Sequence, residues 1–172
     1  MKLIVSPLPQ VEQLLAEHQP SHLVTLASPG AEAAFDAEHR LDLRFNDIAA
    51  PREGLVPPSL EHVEALLAFA EGWSGSHPLL IHCWAGVSRS TAAAYAIACA
   101  RTAPGREAEW AAHLRDAAPT ATPNPLIIAL ADRLLDRGGA MVRAVEVIGR
   151  GAETDWGSPF ELNLTSEGNR RR

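Results

Sequence analysis

The sequence predicts an α/β fold with a central, mainly parallel sheet of about four to five strands, flanked by helices and followed by a helical C-terminal half. Short apolar strands alternate with helical segments in the first half of the 172-residue chain, an order that places strands parallel in one sheet. The run Leu-Leu-Ile at residues 79–81 is apolar throughout, as expected of a central strand buried on both faces. Helical apolar spacing dominates the second half.

The predicted strands are short and are bounded by turn-forming residues. In the third of them, apolar residues alternate with Asp42 and Arg44, which is the period of a half-buried strand. The predicted strands are residues 3–5, 22–26, 41–45 and 79–81. Residues 28–30, Ser-Pro-Gly, form a turn from which we expect a short helix to run through Phe35.

The helices are predicted from apolar spacing and from capping residues. Ser59 is a favoured N-cap after two prolines, and apolar residues then recur at helical spacing. The segment that follows residue 90 is apolar almost all round, which indicates a buried helix. The predicted helices are residues 11–18, 59–73, 91–99, 107–117, 124–137 and 140–148. Residues 46–58 contain three prolines and a glycine, and they predict a long loop.

Length and composition indicate one domain with a tail. The chain is 47% hydrophobic, so it can bury a sizeable core. We expect a single domain over residues 1–149 and an extended, partly packed tail over residues 150–172. The apolar stretches are too short for a secretory signal or a membrane span, so the expected location is cytoplasmic.

Charge and cysteine content exclude several kinds of partner. The net charge of -6 argues against nucleic acid or an anionic membrane as the main partner. The basic run Arg170-Arg171-Arg172 is interpreted as a solvated end. Cys83 and Cys99 would lie too far apart along a helix for a disulfide, so Cys83 is expected to be a free thiol. The seven histidines show no metal-ligand spacing, and we assign no metal and no cofactor.

The most informative segment joins the buried strand to the next helix, with the sequence His-Cys-Trp-Ala-Gly-Val-Ser-Arg-Ser-Thr. Cys83 ends the strand, and Arg89 opens a helix whose N-terminus attracts anions. Gly86 allows successive amides to point inward, and the planar fork of Arg89 can hold two oxyanion oxygens. The predicted phosphate-binding residues are Trp84, Ala85, Gly86, Val87, Ser88 and Arg89. A thiol beside such a cradle predicts nucleophilic attack on a bound phosphoryl group.

Neighbouring side chains have predicted supporting roles. The electropositive setting favours the thiolate form of Cys83, and the hydroxyl of Ser90 can stabilise that thiolate when it leaves. Ser88 serves either as a helix cap or in catalysis. His82 is interpreted as a buried residue that fixes the loop rather than as a proton carrier. We expect the amide of Trp84 to face the phosphate while its indole packs outward or lines the entrance.

The pattern His82-Cys83-x-x-Gly86-x-x-Arg89-Ser90 resembles the active-site loop of the protein tyrosine phosphatase superfamily, in the compact branch of dual-specificity phosphatases and their bacterial relatives. The resemblance implies a cysteinyl-phosphate intermediate and no metal. By position, Cys83 would be the nucleophile, Arg89 the phosphate-binding arginine and Ser90 the hydroxyl that assists thiolate release. The implied substrates are phosphorylated proteins or small phosphomonoesters. An aspartate on an upstream loop would be the general acid.

Asp47 is the best candidate for that general acid, because it follows a strand and opens the long loop. The competing interpretation of Asp47 is an Asx turn at the strand end. Glu53 and Asp42 are rival acids, although Asp42 lies inside the strand pattern. The loop departs from the family in lacking a Trp-Pro-Asp sequence.

The leading functional hypothesis is a phosphatase for phosphotyrosine, extending to phosphoserine and phosphothreonine. A non-catalytic phosphate-binding module and a sulfurtransferase are alternatives, the latter opposed by the glycine and the Ser-Arg-Ser pattern. A further alternative is a phosphatase for inositol phosphates or lipids, whose relatives tend to place lysines in the loop. Here those positions hold Trp84, Ala85 and Val87, and the acidic chain disfavours polyanionic headgroups.

Overall fold

Five strands and six α-helices make up the part of the chain that the computed structural model describes, residues 1–164. The strands are β1 (Lys2–Pro7), β2 (His22–Ala27), β3 (His39–Arg44), β4 (Leu79–Cys83) and β5 (Phe160–Asn163). The helices are α1 (Val11–His18), α2 (Leu60–Glu71), α3 (Arg89–Ala100), α4 (Glu107–Ala117), α5 (Pro125–Leu134) and α6 (Ala140–Ile148). The predicted α/β class is confirmed.

The strands form one sheet in the order β3-β2-β4-β1-β5. β2 pairs in parallel with β3 and β4, β1 pairs in parallel with β4, and only β5 runs antiparallel among these pairs. β4 is therefore the central strand, and all five of its residues are buried. Ligands of parallel sheets bind beyond the carboxyl ends of the strands, which is where β4 ends at Cys83.

Helix α3 is the most buried helix and fixes the far end of the loop that follows β4. Every residue from Arg89 to Cys99 is buried, and five of these are alanines, whose small side chains let the sheet and α2, α4 and α5 approach closely. Tyr95 donates a hydrogen bond from its hydroxyl to the carbonyl of Glu107 at 3.0 Å, which ties α3 to α4. None of the helices within residues 1–164 combines the length and apolar character needed to cross a membrane.

The prediction of a short helix that runs through Phe35 is wrong, because residues 31–38 form neither helix nor strand. Two arginines of β3 take the carbonyls that a helix would use. Arg44 donates from Nη1 to the carbonyl of Ala31 at 2.7 Å, and Arg40 donates from Nη1 to the carbonyl of Phe35 at 2.9 Å. The segment therefore bonds to β3 through these carbonyls, and Phe35 packs against the apolar cluster that includes Ile4 and Leu80.

Strand β5 lies within the segment that the sequence analysis assigned to a partly packed tail. Its register pairs Val5 with Phe160 and Leu3 with Leu162, and the side chains of Phe160 and Leu162 are buried. Between them, Glu161 faces outward and forms an ion pair with Lys2 at 2.9 Å. Residues 160–163 thus extend the sheet beside β1. The basic run at residues 170–172 lies outside the described residues.

The chain between α6 and β5 packs against the loop that follows β4. The amide of Gly157 donates to the carbonyl of Ala85 at 2.8 Å, and the amide of Gly151 donates to Oγ1 of Thr122 at 3.1 Å. A Cβ on Gly157 would lie 2.8 Å from the carbonyl oxygen of Gly86, closer than real Cβ contacts. Only glycine allows this approach of two backbones.

We expect Gly157→Ala to lower the free energy of unfolding by about 1–3 kcal/mol, the range typical of overpacking. Gly72→Ala is the matched control, because its φ is −69° and its added Cβ would meet only the carbonyl of Phe69 at 3.7 Å. Urea unfolding of both variants measures the difference. Equal losses at the two sites would contradict close packing of Gly157 on the loop.

Candidate active site

The candidate active site is the loop between β4 and α3, at the carboxyl end of the central strand. Cys83 is 3% exposed and is not in a disulfide. Its Sγ lies 3.1 Å from Oγ of Ser90, in the first turn of α3. The structure therefore places a thiol and a hydroxyl in hydrogen-bonding contact at the base of the loop.

The carbonyl groups of this loop face outward, toward other parts of the chain. Four of them accept hydrogen bonds from amides outside the loop: Trp84 from Leu8 at 3.0 Å, Ala85 from Gly157 at 2.8 Å, Val87 from Thr122 at 2.9 Å and Ser88 from Asn124 at 3.3 Å. The peptide bonds of residues 1–164 are all trans, and the C=O and N–H of a trans peptide point in opposite directions. The amides that follow these carbonyls, on Ala85, Gly86, Ser88 and Arg89, therefore turn away from the surrounding segments, as in an anion nest.

Gly86 is required by this arrangement. Its φ is +70°, a left-handed conformation that favours glycine. A Cβ at this position would also lie 2.7 Å from the backbone nitrogen of Pro7. The loop can therefore keep its shape against β1 only with glycine at position 86.

The guanidinium of Arg89 is buried under the loop, with 5% of the residue exposed. Nη1 donates to the carbonyl of Phe45 at 3.0 Å and to Oγ of Ser28 at 3.3 Å. Nε is buried and has no acceptor among residues 1–164. A buried donor without an acceptor lowers the stability of the folded protein by about 1–3 kcal/mol. An oxyanion held in the loop would accept a hydrogen bond from Nε and so remove this cost.

A cavity of about 270 Å³ opens beside the thiol and the guanidinium. Cys83, Trp84 and Arg89 line it from the loop, and Ser28 and Glu32 line it from the segment after β2. Trp84 lines the cavity but is 57% exposed, so part of its side chain contacts solvent at the cavity entrance. The cavity provides space for a phosphoryl group and part of what it is attached to.

Asp47 lies against the loop. Its Oδ1 accepts hydrogen bonds from Oγ of Ser88 and from Nδ2 of Asn124, both at 2.8 Å. The preceding residue, Asn46, is fixed to Val56 by two hydrogen bonds of 2.7 and 2.9 Å, which close the loop of residues 46–56 at its base. The long loop is therefore joined to the loop after β4 at Asp47 as well as at Phe45.

The two rival acids are placed differently. Asp42 lies in β3 and forms ion pairs with Arg40 at 2.9 Å and with Arg44 at 3.7 Å. Glu53 is exposed farther along the loop. Of the three carboxylates, Asp47 is the one that the structure brings into hydrogen-bonding contact with the candidate phosphate-binding residues.

Ser88 occupies the N-cap position of α3, but its side chain forms no capping hydrogen bond within the described residues. Its hydroxyl instead donates to Asp47. The capping interpretation of Ser88 is therefore wrong, and the reason is that the carboxylate of the neighbouring loop competes for the hydroxyl.

Asn124 is a site residue that the sequence analysis missed. Its Oδ1 accepts from the amides of Leu126 and Ile127 and so caps α5, while its Nδ2 reaches Asp47. The residue is buried, and its backbone amide donates a hydrogen bond to the carbonyl of Ser88. An Asn-Pro pair at a helix start indicates a cap, but nothing local in the sequence indicates a contact 77 residues away.

His82, next to the nucleophile candidate, and Cys99, in the last turn of α3, are both buried. Nε2 of His82 lies 2.8 Å from Oγ1 of Thr25, which links β4 to β2, and burial lowers the pKa of His82 to about 4. Burial raises the pKa of Cys99 to about 12. Its thiol is therefore unsuited to act as a nucleophile near neutral pH.

We expect His82 to make stability depend on pH. The unfolded chain protonates this group near its ordinary pKa of 6.5, whereas the folded protein does so only near about 4, so acidification between these values favours unfolding. From about pH 7 to about pH 5 the group should remove about 2 kcal/mol from the free energy of unfolding.

Urea unfolding of the unaltered protein and of His82→Gln at both pH values tests this. The variant should lose less stability on acidification. Burial also lowers the pKa values of His22 and His62, but those residues are present in both proteins. Identical losses would show that His82 does not titrate as described.

No protein-family model matches the chain, and none of the curated proteins matches it. Solved structures do match. The dual-specificity phosphatase DUSP15 has a TM-score of 0.59 at 18% identity, over 84% of this chain and 90% of that one. The Yvh1 phosphatase domain from Chaetomium thermophilum has a TM-score of 0.57 at 20% identity, over 81% and 93%. PTPMT1 in complex with PI(5)P has a TM-score of 0.58 at 16% identity, over 83% and 94%.

These likenesses extend over most of each chain, and at such low identities they concern the fold. The five-stranded sheet and the surrounding helices follow the same arrangement as in these phosphatases. The fold expected from the resemblance of the loop is thereby confirmed. The chain has the fold of the dual-specificity branch of the protein tyrosine phosphatase superfamily.

Proposed function

We propose that the chain is a cysteine-dependent phosphatase that hydrolyses phosphomonoesters, with phosphotyrosine as the main substrate and phosphoserine and phosphothreonine as further ones. The observation that carries the proposal is that one loop brings together three features: Cys83 and Arg89, which line the same cavity, the unpaired Nε of Arg89, and amides that face away from the surrounding chain. Together they fit a nucleophile below a bound phosphoryl group.

In the first step, the Cys83 thiolate attacks phosphorus and an S–P bond forms as the P–O bond to the leaving group breaks. The electron pair of that bond goes to the leaving oxygen, which takes a proton from Asp47. Nε of Arg89 and the loop amides hold the non-bridging oxygens, where charge is greatest in the transition state. The products of this step are the cysteinyl phosphate, the free alcohol or phenol and the Asp47 carboxylate.

In the second step, a water molecule attacks phosphorus and gives its proton to the Asp47 carboxylate. The S–P bond breaks, inorganic phosphate forms and the electron pair returns to sulfur. Oγ of Ser90, 3.1 Å from Sγ, donates a hydrogen bond to the departing thiolate. The thiolate and the protonated aspartate are restored, so the cycle needs no metal or cofactor.

The placement of Asp47 supports its role as the acid. Both hydrogen bonds that it accepts use Oδ1, which leaves Oδ2 to carry the proton. Ser88 and Asn124 fix the carboxylate beside the loop before substrate binds. We infer that these two are positioning residues that act through Asp47.

We propose phosphorylated proteins as the substrates rather than nucleic acid or membrane lipids, and a cytoplasmic location for the reaction. A phosphoinositide phosphatase is a second candidate, because PTPMT1 has the same fold and was crystallised with PI(5)P. The positions that would suit lysines in the loop hold Trp84, Ala85 and Val87, and the chain carries a net charge of -6. Both observations disfavour a polyanionic headgroup.

Cys83→Ser should abolish hydrolysis of p-nitrophenyl phosphate while binding of vanadate or phosphate persists, because the cradle stays intact without its nucleophile. Cys99→Ser is the control and should keep turnover, since that thiol is buried within α3. Steady-state assays and calorimetric titration measure the two properties. Turnover by the Cys83 variant would refute the nucleophile assignment.

The alternatives have distinct outcomes in the same assays. An unaltered protein that binds phosphate without turnover would be a non-catalytic binding module. Transfer of sulfur from thiosulfate to cyanide would instead identify a sulfurtransferase. Either result would replace the phosphatase proposal.

Asp47→Asn should slow hydrolysis of phenyl phosphate by about 10²–10⁴-fold, because the poor leaving group needs a proton. p-Nitrophenyl phosphate, with a better leaving group, should be affected much less. The substitution keeps an oxygen for Ser88 and Asn124. Glu53→Gln is the control from the same loop and should change neither rate. If Asp47→Asn slowed both substrates equally, Asp47 would be excluded as the general acid.

A further inference from the structure

Two large aromatic side chains are exposed together beside the candidate active site. Trp84 is 57% exposed and Trp156 is 44% exposed, with ring centroids 5.7 Å apart and ring planes inclined by 36°. Trp84 also lines the cavity that contains Cys83 and Arg89. The aromatic pair therefore begins where the cavity opens. Exposed aromatic surface of this kind is typical of binding sites, since indole faces contribute strongly to contacts.

Trp156 is held in this position by the backbone. The amide of Gly157, the next residue, donates to the carbonyl of Ala85 in the loop, and Oγ1 of Thr154 donates to the carbonyl of Trp156 at 2.7 Å. Farther back, the amide of Ala152 donates to the carbonyl of Pro119. The segment that carries the second indole is thus fixed to the same loop as the first.

The charges beside the aromatic pair are mainly negative. A second cavity, of about 600 Å³, lies between Val87 and Ser88 of the loop and the segment of residues 150–155. Glu153 and Asp155 both line this cavity, and Arg150 is its one cationic lining residue among the described part of the chain. This surface attracts a cation rather than a second anion.

We infer that the protein binds phosphopeptides with a lysine or arginine next to the phosphorylated residue. The phosphoryl group would occupy the loop, and this part of the inference rests on the proposed function. The neighbouring cation would lie against the indoles of Trp84 and Trp156, whose faces attract cations, and close to the carboxylates of Glu153 and Asp155. The anionic and cationic groups of one peptide thereby match two adjacent surfaces of opposite charge.

The test compares three phosphotyrosine peptides that differ only beside the phosphotyrosine, where they carry arginine, leucine or glutamate. Binding to the Cys83→Ser variant is measured by fluorescence anisotropy, and kcat/KM is measured with the unaltered protein. The arginine peptide should bind about 3–10-fold more tightly than the leucine peptide, as expected of partly exposed cation–π and charge contacts. The glutamate peptide should bind most weakly, and the differences should shrink at high salt.

Variants identify the residues responsible. Trp156→Ala and the double variant Glu153→Gln/Asp155→Asn should each reduce the preference for arginine while hydrolysis of p-nitrophenyl phosphate is unchanged. The matched control is Glu64→Gln/Glu71→Gln, which removes two exposed carboxylates from α2, beside the C-terminal end of α3. The control should keep the full preference for arginine.

Equal affinity for the three peptides would overturn the inference, as would an equal loss of preference in the control. Tighter binding of the glutamate peptide, or of vesicles that contain a phosphoinositide, would overturn it in favour of a polyanionic substrate. Absence of turnover in the unaltered protein would refute the proposed phosphatase, yet a preference for arginine in binding would still support this inference. The two claims are therefore tested separately.

Discussion

The loop after β4 depends on hydrogen bonds from its carbonyls to other parts of the chain, and these bonds leave its amides free to face an anion. The carbonyls of the loop after β4 accept hydrogen bonds from backbone amides in three places: just after β1, just before α5 and just before β5. Each partner comes from a different part of the sequence. The helical second half and the segment before the last strand are thus supports of the site as well as parts of the core.

The same contacts join the candidate nucleophile loop to the candidate acid loop. Arg89 donates a hydrogen bond to the carbonyl of Phe45. Asn124 accepts hydrogen bonds from two amides in the first turn of α5 and donates one to the carboxylate of Asp47. Preorganisation of this kind has a cost in stability, since Nε of Arg89 stays buried without a protein acceptor in residues 1–164. Functional sites commonly hold such unfavourable groups, and surrounding packing keeps them in place.

The sequence was enough to predict the central strands, the buried helix and the loop between them, because their signals are local: an apolar run, a glycine and a fixed spacing of cysteine and arginine. β5 was missed because its apolar–polar alternation covers only four residues after a glycine-rich segment, and its partner β1 lies at the other end of the chain. The region near Phe35 was mispredicted as helix because arginines from β3 take its carbonyls. Asn124 and Trp156 reach the site through long-range contacts that no local pattern encodes.

We propose that phosphoryl transfer passes through the thiol of Cys83. Rapid quenching during turnover of a radioactively labelled phosphotyrosine peptide, followed by peptide mapping, tests it most directly. We expect label on the peptide that contains Cys83, as a phosphorus–sulfur ester that disappears once substrate is exhausted. Turnover without label at Cys83, or with label on another residue of the loop, would contradict it.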